Sequence, residues 1–274
     1  MSKTIFITGA SKGFGRLWAE AFLKRGDNVI ATSRNADSLK KLSEMYGDRF
    51  LAVELEITSR SEVFKVMEMA NGHFPGGIDI LINNAGFGVI GTVEEYSEKE
   101  ARDQFDVNFF GTLWTTQAIL PIFREKGKGH ILQLSSVLGI NTVPTCGIYS
   151  ASKYALEGLS EALQQEVKDF GIHVTLIEPT TYSTEFGSSA QYSVSNPAYD
   201  QVKAALAANP AFSEAASGIP AATIEALFAV VDSSHPPLHF FLGNAALGWT
   251  QYNYSAKLAE WEEWKDISAK AQGK

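Results

Sequence analysis

The chain has a single cysteine in 274 residues. Cys146 has nothing to pair with, which excludes an internal disulfide framework and fits a reducing compartment. No histidine stands near it in the sequence, so it reads as a packed or pocket-lining thiol rather than a nucleophile. Positive charge is also scarce: 23 basic side chains face 31 acidic ones, for a formal −8. That argues against nucleic acid or an anionic membrane as a general partner, while leaving room for one local basic pocket. Long apolar runs are missing too. The stretch 226–231 falls far short of a membrane span, and the opening Met1-Ser-Lys-Thr-Ile-Phe-Ile-Thr8 meets glycine at once, unlike a signal peptide. No internal repeat or domain linker is visible. A soluble, cytoplasmic protein with one domain over 1–274 is the expectation, with 45% hydrophobic residues to build its core.

What is present is regular alternation. Apolar runs at 3–8, 28–33, 51–55, 78–82, 130–135, 172–177 and 238–242 read as strands. Helical patterns lie at 14–25, 36–46, 60–71, about 98–125, 150–169 and 220–232, with a further tryptophan-bearing helix in 245–274. Runs such as Ile80-Leu-Ile82 are apolar along their whole length, as in a parallel sheet covered on both faces. The pattern predicts an α/β, Rossmann-type, doubly wound domain with a mostly parallel seven-stranded sheet. Residues 180–218, rich in Ser, Thr, Ala, Tyr and Asn and broken by Pro197 and Pro210, read as an excursion outside the sheet.

The first strand runs into Thr8-Gly9-Ala-Ser-Lys-Gly13-Phe-Gly15. Three glycines between a strand and a helix permit a tight turn, close backbone approach to a pyrophosphate and exposure of helix N-terminal N–H groups. The second strand ends Val29-Ile-Ala-Thr-Ser33-Arg34. An acid there would bind the ribose diol of NAD. Ser33 and Arg34 instead suit the 2′-phosphate of NADP(H), with Lys12 a second positive charge nearby.

Ser136, Tyr149 and Lys153 form the third signal. Tyr149 and Lys153 lie one helical turn apart, and Ser136 stands where the preceding strand ends. A hydroxyl, a phenol and an ammonium converging on one point can protonate a carbonyl oxygen while a hydride reaches its carbon. The spacing alone says little, because Tyr199-Asp-Gln-Val-Lys203 repeats it with Phe186 at the serine position and no strand before it.

Together these residues resemble the short-chain dehydrogenase/reductase family. Thr8-Gly-x-x-x-Gly-x-Gly15, Asn83-Asn-Ala-Gly86, Asn108, Ser136, Tyr149-x-x-x-Lys153 and Pro179 stand in its order and spacing across essentially the whole chain. The resemblance implies that Tyr149 is the acid/base, its phenol lowered by Lys153 and the oxidised nicotinamide. Lys153 would hold the ribose, Ser136 would orient the substrate oxygen, and Asn108 would hold a water linked to Lys153. It places the cofactor against Gly9, Ser11, Lys12, Gly13, Phe14 and Gly15, then Ser33 and Arg34, then Glu56 and Ile57. Asn84, Ala85 and Gly86 would wall the adenosine side, and Pro179, Thr181, Tyr182 and Thr184 would join Tyr149 and Lys153 near the nicotinamide. Two positions depart from the pattern: Glu56 stands where an aspartate is usual, and Thr180 follows Pro179 in place of glycine.

Ile5-Phe-Ile-Thr-Gly-Ala, Ala31-Thr-Ser-Arg34, Gly129-His-Ile-Leu and Ala155-Leu-Glu-Gly-Leu-Ser-Glu161 are similar to carbonyl reductases and to hydroxysteroid or retinol dehydrogenase-like members. The implied activity is NADPH-dependent reduction of a ketone to a secondary alcohol, run reversibly, on substrates with apolar bodies. Leu138, Thr145, Tyr182, Phe186 and Tyr192 are the expected substrate wall. A steroid or retinoid substrate, and a non-catalytic NADPH sensor, stay open as alternatives. No metal is implied. In similar proteins the helices matching 98–125 and 150–169 often pair between subunits, so the resemblance implies a homodimer or homotetramer.

Overall fold

The computed structural model describes residues 2–273. Its frame is a seven-stranded sheet built from β1 (Thr4–Ile7), β2 (Asn28–Ser33), β3 (Phe50–Glu54), β4 (Ile80–Asn83), β6 (Gly129–Leu134), β7 (Ile172–Pro179) and β9 (His239–Leu242), with β5 (Val89–Ile90) and β8 (Gln191–Tyr192) outside it. The order is β3-β2-β1-β4-β6-β7-β9 and every neighbouring pair is parallel. The chain steps outward from β1 to β3, then returns to add β4 on the other side of β1. That reversal opens a crevice at the carboxyl ends of β1 and β4, where ligands of such sheets bind.

The strands are apolar throughout because both faces are covered. Ile5 and Ile7 pack with Trp18 and Phe22 of α1 (Gly13–Arg25) and Leu227 of α8 (Thr223–Asp232). Phe6, between them, points to the opposite layer, with Met67 of α3 (Arg60–Asn71), Ile119 and Phe123 of α5 (Thr112–Lys126) and Leu163 of α6 (Gly147–Val167). The two-residue period of a strand thus divides one apolar run between two cores. Among the described residues no helix is long and apolar enough to cross a membrane.

Three local features depart from the sequence reading. The helix expected at about 98–125 is α4 (Glu98–Phe105) and α5 separated by a π turn, Asp106–Gly111. Such turns are short interruptions of an α-helix, often at functional sites; within this one the Asn108 side chain bonds the backbone of Phe87 in both directions. The 180–218 stretch is more ordered than its composition suggests: it contains α7 (Asp200–Ala207), and β8 pairs in parallel with β5. Finally, α9 (Ala246–Lys270) packs through its first two turns, and nearly all later positions are exposed.

Candidate functional site

Thr8, at the end of β1, fixes the turn that follows. Its Oγ1 accepts from the backbone N–H groups of Asn84 and Ala85, both at 3.0 Å, and Asn84 Nδ2 donates to the carbonyls of Thr8 and Gly9 at 2.8 and 2.9 Å. Gly9 has φ +69, and a Cβ there would stand 2.7 Å from Ala85 Cα. A Cβ on Gly15 would stand 2.6 Å from the Gly9 carbonyl oxygen. The glycines therefore let two strand ends touch. Thr8 itself was not singled out from the sequence as a clamp, although its place before the glycine turn is the signal that could have marked it. The Gly13 N–H donates to Glu185 Oε2 at 3.1 Å, and Lys12 Nζ to Ser189 Oγ, so the 180–218 stretch reaches across the glycine turn.

Ser33 Oγ, at the end of β2, accepts from the Asn35 N–H at 3.3 Å. Arg34 is exposed beside it, and no ion pair engages it among the described residues. Glu56 turns back on its own loop: Oε1 accepts from the Thr58 N–H and hydroxyl at 3.1 and 2.9 Å. Gly9, Lys12, Gly13, Ser33, Arg34, Glu56, Asn84 and Ala85 border one cavity of about 2140 Å³.

Ser136, Tyr149 and Lys153 border the same cavity and are buried. Burial pushes the Tyr149 phenol up to about 12, with the Ser136 hydroxyl pulling the other way. The lowering expected from Lys153 does not govern the phenol here, because removal from water dominates and the ammonium is held elsewhere. Lys153 Nζ donates to the Leu134 carbonyl at 2.6 Å and lies 5.8 Å from the Tyr149 ring centre. Burial also brings Lys153 down to about 8, against the raising influence of Glu157. Asn108 stands behind this group: Oδ1 accepts from the Phe87 N–H at 3.0 Å, and Nδ2 donates to the Phe87 carbonyl and Ser152 Oγ at 2.9 and 3.2 Å. Gly86 separates it from the cavity, since a Cβ there would stand 3.1 Å from Asn108 Oδ1 and 3.9 Å from Lys153 Nζ. The second tyrosine–lysine pair is spent on acids, Tyr199 bonding Glu94 and Lys203 bonding Glu95.

The five residues expected at the substrate end, Leu138, Thr145, Tyr182, Phe186 and Tyr192, all border the cavity, as do Pro179, Thr181 and Thr184. The Phe186 ring lies 5.6 Å from that of Tyr149, and Tyr182 packs edge-on against Phe14 at 5.3 Å. Thr145 has φ +66, the one non-glycine in the left-handed region among the described residues. A β-branched side chain is unfavourable in that conformation. Thr180 follows Pro179 without strain by extending the sheet: its N–H donates to the Leu242 carbonyl at 2.9 Å, and Gly243 leaves space for its side chain. Trp249 and Asn253 of α9 also line the cavity, which the sequence reading missed. The α9 wall is tied to the loop before Tyr149, because Asn253 Nδ2 donates to Asn141 Oδ1 at 2.7 Å and Asn141 Nδ2 to Thr250 Oγ1 at 2.8 Å.

Comparison with known proteins agrees with this fold. Residues 3–195 match the model of the short chain dehydrogenase family. The oxidoreductase BOA17 of Botryotinia fuckeliana is 34% identical over 271 residues, covering 98% of each chain. A short-chain dehydrogenase from Streptomyces avermitilis superimposes with a TM-score of 0.90 at 37% identity, covering 98% of both chains. A short chain dehydrogenase from Burkholderia cenocepacia, solved in complex with NADP, superimposes at 0.75 with 25% identity over 96% of this chain and 97% of its own.

Proposed function

The chain belongs to the short-chain dehydrogenase family of oxidoreductases, and from that premise we propose that it is an NADPH-dependent reductase of ketones, reversible as a secondary-alcohol dehydrogenase, with Tyr149 as its acid/base. The observation that carries the reading is the buried convergence of Ser136, Tyr149 and Lys153 on the wall of the cavity that begins at the glycine turn. The turn fits a dinucleotide: Gly9 and Gly15 stand where a Cβ would collide with Ala85 and the Gly9 carbonyl, so only glycine lets the turn close this tightly before the N-terminus of α1. Arg34, which no ion pair engages among the described residues, stands where the 2′-phosphate of NADP would lie, and β2 ends in Ser33 rather than in an acid that would repel it. The assigned contacts are Gly9, Ser11, Lys12, Gly13, Phe14 and Gly15 for the pyrophosphate, Ser33 and Arg34 for the 2′-phosphate ribose, Glu56, Ile57 and Asn84 to Gly86 for the adenosine, and Pro179, Thr181, Tyr182 and Thr184 for the nicotinamide side.

When bound, NADPH supplies the hydride. The chain's own residues handle the proton and the position of the substrate. At neutral pH a phenol held near 12 is protonated, the state needed to give a proton to a ketone oxygen as it gains charge. Ser136 donates to the same oxygen and orients it. Lys153, still mostly an ammonium at pH 7, favours the phenolate left behind. Asn108 stiffens the wall behind Gly86 through its two bonds to Phe87. Phe186, whose ring lies 5.6 Å from that of Tyr149, and Tyr182, both from the 180–218 stretch, line the cavity beside the phenol with Leu138, Thr145 and Tyr192 and would face the substrate. Assembly as a homodimer or homotetramer and a cytoplasmic location belong to the same reading.

Following NADPH absorbance over a panel of ketones with apolar substituents, steroid and retinoid carbonyls included, tests the proposal. Turnover should vanish in Tyr149→Phe while NADPH still binds, as measured by calorimetry. Tight NADPH binding by the unmutated protein with no turnover on any carbonyl would establish a sensor instead.

A further inference from the structure

The chemistry above leaves unused a cluster on the far side of Ser135. Glu157 lies one turn beyond Lys153 on α6, Glu178 is the penultimate residue of β7, and His239 opens β9. Glu178 is 0% exposed and Glu157 5%. One ligand atom from each of the three lies within 4.8 Å of the others. His239 Nδ1 is 2.7 Å from Glu178 Oε1 and 3.5 Å from Glu157 Oε2. The Ser135 hydroxyl donates to Glu157 Oε1 and fixes that carboxylate. The second oxygen of each acid, Glu157 Oε2 and Glu178 Oε2, is buried and takes no hydrogen bond among the described residues. Orphaned carboxylate oxygens are costly in a dry interior unless a cation answers them.

Charge decides what the cation should be. Two carboxylates and a neutral imidazole sum to −2. One divalent ion brings the cluster to zero in a single step, where protons would have to occupy both His239 and one of the acids. We propose that Glu157, Glu178 and His239 bind a divalent cation of the zinc class, which ties the carboxyl end of β7 and the start of β9 to the helix that carries Tyr149 and Lys153. The donor set, one imidazole nitrogen and two carboxylate oxygens, suits zinc, while calcium and magnesium favour oxygen alone. Glu161 supplies the outer partner: its Oε1 lies 3.7 Å from His239 Nε2, placed to orient the ring as carboxylates do behind metal-binding histidines. The His239 side chain is 41% exposed, so an ion can enter from solvent. Ser135 and the two acids come from three elements that meet only in the fold.

The full-length protein, stripped with a chelator and dialysed, is titrated with Zn²⁺ by calorimetry, with Co²⁺ absorption as a second probe. One saturable Zn²⁺ per chain is expected, together with a rise in melting temperature on loading. His239→Ala should weaken binding by roughly a hundredfold or more, and Glu161→Gln, an outer partner, by about tenfold. His239→Ala removes an exposed ring and tests the site even should Glu178→Gln fail to fold. Absence of saturable Zn²⁺ binding would show that a proton on His239 holds the cluster by itself, and overturn the proposal. So would binding that survives His239→Ala unchanged, which would place the ion elsewhere. Neither result depends on whether ketones are reduced.

Discussion

Gly9→Ala is the sharpest test of how the glycine turn is built. Two costs are visible at that position. The backbone has φ +69, a conformation that costs an L-residue ~1–2 kcal/mol. The new methyl would also stand 2.7 Å from Ala85 Cα and 3.1 Å from Ala85 N, which are backbone atoms. They cannot retreat cheaply, because Ala85 N–H is held by Thr8 Oγ1 at 3.0 Å and its neighbour Asn84 is held at Thr8 and Gly9. Overpacking of this kind costs about 1–3 kcal/mol. The sum, roughly 2–5 kcal/mol, corresponds to a melting temperature lower by ~5–15 °C in a chain of this size. Gly127→Ala is the control: its φ is +67, but nothing lies within 4 Å of the added Cβ, so it carries the backbone cost alone. Thermal melts of both variants, with NADPH affinity measured by calorimetry, separate the two contributions. Gly9→Ala should melt lower than Gly127→Ala and lose at least roughly tenfold in NADPH affinity, while Gly127→Ala keeps its affinity. Equal melting temperatures, or unchanged affinity in Gly9→Ala, would refute the claim that β1 and β4 are fastened through this contact.

Three further outcomes are expected. Arg34→Asp should raise the Michaelis constant for NADPH by about tenfold or more, because it puts an acid where the 2′-phosphate is read; equal efficiency of the unmutated protein with NADH would contradict that placement. Phe186→Ala should admit water to Tyr149, and since burial is what raises the phenol, the pH midpoint of alcohol oxidation should move to lower pH, with the ketone Michaelis constant roughly tenfold higher; an unmoved midpoint would mean that Phe186 shields nothing. His130 is buried against Thr175 and held near 3, first by burial and then by His173 and Lys3, against 6.5 when exposed. The unfolded chain therefore takes the extra proton, so stability is intact above pH 6.5 and falls towards pH 3 by up to ~1.4 kcal/mol per pH unit. Urea melts of the protein and of His130→Gln between pH 7 and 4.5 check this, the variant losing the slope.

Much of the frame was legible because it depends on local pattern. The runs at 28–33 and 130–135 and the helix at 60–71 match the observed elements to within a residue, since apolar residues bounded by glycine and acids leave little choice. The π turn was not legible. Its Asn108 meets the Phe87 backbone across a loop, a contact that the helical pattern read over 98–125 does not reveal. The β5–β8 pair has two residues per strand, too few for a period to show. Tyr199 and Lys203 had the spacing of a catalytic pair, and only Glu94 and Glu95, about a hundred residues upstream, account for where those side chains go.

The doubly wound order explains which site residues could be found. With every strand parallel, the carboxyl ends of β1, β4, β6 and β7 must all reach one edge of the sheet. Any polar or glycine position just past those strands is thereby committed to the same crevice, wherever it stands in the chain. Gly9, Asn84 and Ser136 satisfy that condition, and each could be named from the sequence. Glu185 on the glycine turn and Trp249 in the cavity wall follow no strand end. Their positions depend on how 180–218 and α9 pack, through side chains with no periodic signature. The Glu157, Glu178 and His239 cluster belongs to this second kind: its members come from a helix interior, a strand end and a strand start, brought together only because β9 pairs with β7 alongside α6.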